Sequence, residues 1–166
     1  MPTITQKITP FLWFHGNAEE AVAFYTSIFP DSRTLATSRY SDAGKEQHGQ
    51  PPGSVMTIDF ELCGQRFTAL NGGGGSQSVF NQAVSFVVHC DTQAEIDRYW
   101  EKLTAQGGQP VVCGWLRDRF GLSWQIVPAI IWDLITNQAT SPRVMQAVMS
   151  MVKLDLAALK AAAESK

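Results

Sequence analysis

Three histidines (His15, His48, His89) and three cysteines (Cys63, Cys90, Cys113) are the side chains best suited to hold a transition metal or attack a carbonyl. Their spacing argues against both. No Cys-x-x-Cys or Cys/His cluster occurs, so a structural zinc site is not expected. Cys113 has Arg117 and Arg119 close by in sequence but no histidine to take its proton, and it reads as a structural cysteine. Asp118 reads as the residue that orders the turn before Gly121 rather than as a base. A second candidate is the run Asn71-Gly72-Gly73-Gly74-Gly75. A phosphate or S-adenosylmethionine loop needs glycines that open a helix, so that free N–H groups face the ligand. These glycines run into Ser76-Gln77-Ser78 and then a strand, which reads as a linker.

The elements that must position any site come in two copies. Pro10-Phe11-Leu12-Trp13-Phe14, Asn17-Ala18-Glu19-Glu20-Ala21 and Phe24-Tyr25 are matched, 75 residues on, by Ser85-Phe86-Val87-Val88-His89, Thr92-Gln93-Ala94-Glu95-Ile96 and Tyr99-Trp100. Each copy is an apolar strand, a polar cap and an amphipathic helix. Asn17 and Thr92 are expected to cap the helices, with Glu20 and Glu95 at capping-box spacing. Ala21, Phe24, Tyr25 and Ile28 fall on one helical face, as do Ile96, Tyr99, Trp100 and Leu103. Pro30 and Gly107-Gly108 end the helices.

Later strands repeat as well: Gly64 to Leu70 matches Gly121 to Val127 at a spacing of 57, so the first copy holds 18 extra residues. Most of this excess sits in Ser41 to Ser54, rich in Gly, Pro, Gln and Ser, which reads as a long mobile loop. Strands are expected at Ile8–Phe14, Arg33–Tyr40, Val55–Leu62, Gln65–Asn71, Ala83–Cys90, Gln109–Cys113, Trp115–Arg119 and Ser123–Val127. Helices are expected at Ala18–Phe29 and Gln93–Gln106. One domain of 166 residues follows: module one over 6–71, a linker over 72–82, module two over 83–128 and a helical tail over 129–166. In the tail, Pro142 suits a first helical position, Val144, Met145, Val148, Met149 and Val152 form a stripe, and Asp155 can cap a last helix.

Charged residues make up 17 % of the chain and the formal net charge is -2, with no basic stripe. Nucleic acid and membrane surfaces are therefore not expected partners. The apolar run Phe11–Phe14 is too short for a signal peptide, and no stretch is long enough to span a bilayer. The odd, widely spaced cysteines suit a reduced cytoplasmic protein.

A βαβββ unit repeated twice resembles the vicinal oxygen chelate superfamily of glyoxalases, bleomycin-resistance proteins and extradiol dioxygenases. It is most similar to the PhnB-like branch, also called 3-demethylubiquinone methyltransferase-like. The likeness rests on Ile8–Phe14, Gly16–Ala21, Phe24-Tyr25, Ala69–Gly73, Ser85-Phe86, Cys90–Thr92 and above all Cys113–Pro128. It implies an α+β fold in which two βαβββ modules form a curved mixed sheet around a cup, followed by C-terminal helices, and it implies a homodimer.

In this superfamily a divalent metal sits in the cup, held by a residue on the first and last strand of each module. The repeat places those positions at Pro10, Ser85, Thr68 and Gln125, none of them a good ligand. No metal or other cofactor is expected. The resulting expectation is a metal-free protein binding a small apolar or aromatic molecule. Thr68, Ser85 and Gln125 would supply neutral hydrogen bonds and Trp115 and Phe14 the walls, with Asn71 and His89 at the same site. Phe67 and Trp124 are expected to face the helices. One alternative is a metal-dependent lyase, isomerase or dioxygenase using His89, His15 and Glu61. Another is a ligand-free dimeric scaffold. A methyltransferase is not expected, because the chain lacks the βαβ series of a doubly wound sheet.

Overall fold

The computed structural model describes residues 6–73 and 80–165. The chain divides into two compact units, Met1–Ser78 and Val79–Lys166. Most of the expected linker, 74–79, lies outside the described residues.

Unit one holds β1 (Phe11–Phe14), α1 (Ala18–Ile28), β2 (Arg33–Arg39), a single turn α2 (Lys45–His48), β3 (Val55–Leu62) and β4 (Gln65–Asn71). Its sheet runs β1-β4-β3-β2, with β1 and β4 parallel and the rest antiparallel. Burial alternates along β3 and β4, which is the mark of a sheet with one covered face. Leu12, Phe14, Ile58, Phe60, Phe67 and Ala69 point to α1 and meet Ala21, Val22 and Tyr25. Tyr25 stacks on Phe60 and Phe60 on Phe67, with ring centroids 6.5 and 5.4 Å apart. Each such ring contributes roughly 1.5–3 kcal/mol by leaving water. Helix α1 stops at Ile28 because Phe29, extended before Pro30, cannot stay helical.

Asn17 does not cap α1: its side chain makes no capping bond. Asn71, at the end of β4, does so across the unit. Its Oδ1 accepts from Ala18 N at 2.8 Å, and its Nδ2 donates to Glu19 Oε2 at 2.6 Å and to Val55 O at 3.2 Å. The segment 41–54, expected as a mobile loop, is folded. Tyr40 Oη donates to Asn71 O at 2.6 Å, the His48 ring packs on Tyr40 at 4.6 Å, and His48 Nδ1 accepts from Gln50 N at 3.0 Å.

Unit two holds β5 (Ser85–Cys90), α3 (Gln93–Thr104), a short 3-10 turn, β6 (Gln109–Pro110), β7 (Trp115–Arg117) and β8 (Ser123–Pro128). The sheet order is β5-β8-β7-β6, the same topology as unit one. β6 and β7 are shorter than the expected Gln109–Cys113 and Trp115–Arg119. Thr92 caps α3 as expected, its Oγ1 accepting from Glu95 N at 3.2 Å. Ile96, Tyr99 and Leu103 pack toward Leu116, Trp124 and Ile126. The expected α+β fold of two βαβββ modules is present, with one four-stranded mixed sheet in each unit.

The tail forms α4 (Ile131–Thr136), α5 (Ser141–Met149) and α6 (Leu156–Glu164), with Asp155 capping α6 through Ala158 N at 2.8 Å. It packs on the sheet face opposite α3. Val127 joins Ile131, Val144, Val148, Leu154 and Leu159 in one core, with Val87 against it. Two amides strap the tail to the sheet: Cys113 N donates to Met151 O and Gly114 N to Val152 O, each at 2.8 Å. Gly114 sits at φ +81, and a Cβ there would stand 2.9 Å from Ile126 O and 3.0 Å from Leu154. Only glycine serves at that position.

Candidate functional site

Each sheet has a face turned away from its own helix, and the residues able to meet a ligand stand there. In unit one the open face carries Phe11 and Trp13, then Arg66, Thr68 and Leu70, then Thr57, Asp59 and Glu61. Thr68 Oγ1 donates to Asp59 Oδ1 at 2.7 Å, and Arg66 lies 3.7 Å from the other oxygen of Asp59. Arg33 pairs with Glu61 at 2.9 Å. Asp59 was absent from the expected site, although a signal existed. Cys63 and Gly64 both have positive φ and form a two-residue hairpin turn, which sets Asp59 directly across from Thr68.

Two expected ligand contacts of unit one lie on the other face. Phe14 is 2 % exposed and belongs to the core beneath α1. Asn71 is 6 % exposed, and its side chain is committed to capping α1. Pro10 also falls out of the open face, because it shares parity with Leu12 and Phe14. The open-face neighbour of Thr68 on β1 is Phe11, 58 % exposed. Phe67 and Trp124 face the helices, as expected.

In unit two the open face brings together Ser85, Gln125 and Trp115. Gln125 Nε2 donates to Ser85 Oγ at 2.9 Å. Trp115 is the cross-strand partner of Gln125 and is half-buried. The bond leaves the Gln125 carbonyl as an acceptor and the Ser85 hydroxyl as a donor. Arg117 follows Trp115 on the same face and pairs with Ser123 across β8. A cleft of about 450 Å3 opens beside them, walled by Phe80, Asn81, Gln109, Trp115, Arg117 and Ser123. Arg117 and the 80–83 wall were not anticipated; parity with Trp115 was the available signal. His89 is exposed at the other end of the face, 6.3 Å from the Trp132 ring of α4.

Asp118 is buried behind this face. Its Oδ1 accepts from Phe120 N at 2.8 Å and Leu122 N at 3.0 Å, and its Oδ2 accepts from Trp124 Nε1 at 2.8 Å. It thereby fixes the turn from β7 to β8, and with it the register of Trp115, Arg117 and Gln125. Cys113 makes a 3.6 Å sulfur contact with Met149 and takes part in the tail strap. The thiol of Cys90 is pushed up to about 12, first by burial and then by Glu95 and Asp91.

The donor set does not fit a divalent metal. The positions paired with Thr68 and Gln125 on the first strands are Phe11 and Val87, which offer no donor. Asp59 is already engaged by Arg66 and Thr68. Among the described residues no three His, Cys, Asp or Glu side chains come together. The glycines after β4 are used sterically. A Cβ on Gly72 would lie 1.9 Å from the Trp13 ring, and one on Gly73 would lie 2.6 Å from His48 O. Neither opens a helix.

Tandem βαβββ units with mixed four-stranded sheets define a vicinal oxygen chelate protein. The fosfomycin resistance protein FosX of Mesorhizobium loti has the same fold at 14 % identity, over 81 % of this chain and 100 % of its own, with a TM-score of 0.54. The model of the 3-demethylubiquinone-9 3-methyltransferase family matches residues 6–127, and this chain belongs to that PhnB-like family. The PhnB protein of Bacillus cereus is 37 % identical over 75 % of this chain and 100 % of its own, with a TM-score of 0.66. The protein PA1353 of Pseudomonas aeruginosa shares the fold at 20 % identity, over 74 % of this chain and 96 % of its own, with a TM-score of 0.58. No curated protein matches the chain. Among the described residues no helix is long and apolar enough to cross a membrane.

Proposed function

We propose that this chain is a small-molecule-binding protein whose ligand, planar and largely apolar, rests on the open face of unit two without a metal. One observation carries the reading. Ser85 and Gln125 are held together at 2.9 Å beside Trp115, an aromatic wall next to one neutral donor and one neutral acceptor. The cleft next to them, about 450 Å3, falls in the range of small-molecule sites. In the unit-one sheet Thr68 and Asp59 are bonded to each other, so that face offers less to a neutral ligand.

FosX of Listeria monocytogenes was solved with Mn(II) and sulfate, which makes manganese the metal to test here. Purified protein equilibrated with manganese and then dialysed should retain far less than one ion per chain. Calorimetric titration with 2-naphthamide should show binding that weakens about tenfold or more in Trp115→Ala, since a buried aromatic contact contributes roughly 1.5–3 kcal/mol. Stoichiometric manganese uptake would replace this reading with a metal-dependent lyase or dioxygenase. Naphthamide binding indifferent to Trp115 would remove the site from unit two.

A further inference from the structure

The cleft next to Trp115 is chemically lopsided. Among the described residues its walls are amides, hydroxyls, apolar groups and one guanidinium, and no carboxylate lines it. The one charged group in the walls, among these described residues, is the guanidinium of Arg117. Its described hydrogen bond is to Gln109 Oε1 at 2.6 Å, a neutral acceptor that orients the guanidinium without cancelling its charge. Gln109 and Arg117 are cross-strand partners, so the pair is set by the sheet rather than by a loop. Arg117 and Trp115 are two residues apart on one strand face, about 7 Å along it. That separation matches an acidic group joined directly to an aromatic ring system.

We infer that the ligand class of this site is a planar aromatic anion, its ring against Trp115 and its carboxylate or equivalent acidic group on Arg117. The inference rests on the binding reading above and deepens it. A guanidinium has five donors, of which Gln109 takes one, so a two-point contact with a carboxylate stays available. Asn81 and Ser123 stand in the same walls as further polar groups. Arg117 is exposed, so its pairing with an anion stays sensitive to salt.

The test compares 2-naphthoate with 2-naphthamide, equal in shape and differing in charge, by calorimetry on the full chain at low ionic strength. Wild-type protein should bind the naphthoate about tenfold tighter than the amide, as a charge-assisted pair predicts. Arg117→Gln keeps a polar side chain and removes the charge, and it should bring the two affinities together. Circular dichroism of that variant should match wild type. Salt at ~0.5 M should weaken naphthoate binding selectively. Equal wild-type affinities, or discrimination that persists in Arg117→Gln, would overturn the anion class. If the amide still bound through Trp115, the binding reading would survive that result. If neither probe bound, both would fall.

Discussion

Replacing Asp118 with alanine should unfold unit two far more readily, and the size of the effect follows from its contacts. Three donors converge on this carboxylate: Phe120 N at 2.8 Å, Leu122 N at 3.0 Å and Trp124 Nε1 at 2.8 Å. The residue is 3 % exposed, and Leu122 and Trp124 are equally buried. Alanine leaves those donors unsatisfied, at roughly 1–3 kcal/mol each when water cannot reach them. Phe120 is only half-buried, so water offsets part of its loss. The expected destabilisation is about 3–5 kcal/mol. With a urea dependence of roughly 1–2 kcal/mol/M, the midpoint should drop by about 2 M. Tryptophan fluorescence and far-ultraviolet circular dichroism would both follow the transition. Asp118→Asn retains one acceptor oxygen and should fall between the two proteins. Because Asp118 sets the β7–β8 turn, the alanine variant should also lose affinity for 2-naphthoate. A midpoint shift below ~0.5 M would mean that the turn holds without the carboxylate, and the reasoning would fail.

Other expectations test separate features. Asn71→Ala removes the cap that the end of β4 places on α1 and should lower stability by about 2–3 kcal/mol in a denaturant titration, whereas a loss under ~0.5 kcal/mol would show that the cap is dispensable. Gly72→Ala drives a methyl group into the Trp13 ring and should cost about 1–3 kcal/mol; adding Trp13→Ala should recover most of it, and strict additivity would contradict the contact. The buried Cys90 thiol should resist iodoacetamide in native protein while the exposed Cys63 reacts. Because folding raises the Cys90 pKa from 9.0 to about 12, its contribution is full below pH 9 and declines as pH climbs toward 12. Over that window wild type should lose more stability than Cys90→Ala, and parallel curves would refute it.

Much of this structure was legible in the residues. β3 and β4 occupy the expected Val55–Leu62 and Gln65–Asn71, because alternating apolar residues flank a tight Cys63-Gly64 turn. The repeat was also legible, but its constant offset concealed a slip. The helices keep the spacing of 75, while strand pairing equates Phe11 with Val87, a spacing of 76. The extra residue lies in the 15–17 connection, where Gly16 takes φ +87. A slip of one residue reverses every side chain of a strand. That single residue is why Pro10 and Phe14 were assigned to the wrong face. Asn71 misled for a related reason: a polar residue at a strand end resembles a ligand contact until the helix it caps is in view. The 41–54 segment was beyond reach because its order comes from His48 packing on Tyr40, whose hydroxyl bonds Asn71 far along the chain.

The family match ends at residue 127, and the Bacillus cereus chain is covered along its whole length by three quarters of this one. The tail that begins there lies on Val127 and Val87, at the far end of the open face. On β8 the open-face positions Ser123 and Gln125, about 7 Å apart, lie beyond the tail's core contact at Val127. For a ligand bound as proposed on this face, the tail would set a limit of length. A ligand on the proposed site that reached past Gln125 would have to displace the tail from Val127. Tethering gives that segment an effective concentration in the millimolar range, without any loss to dilution. A relative lacking the tail would measure its guests by a different rule.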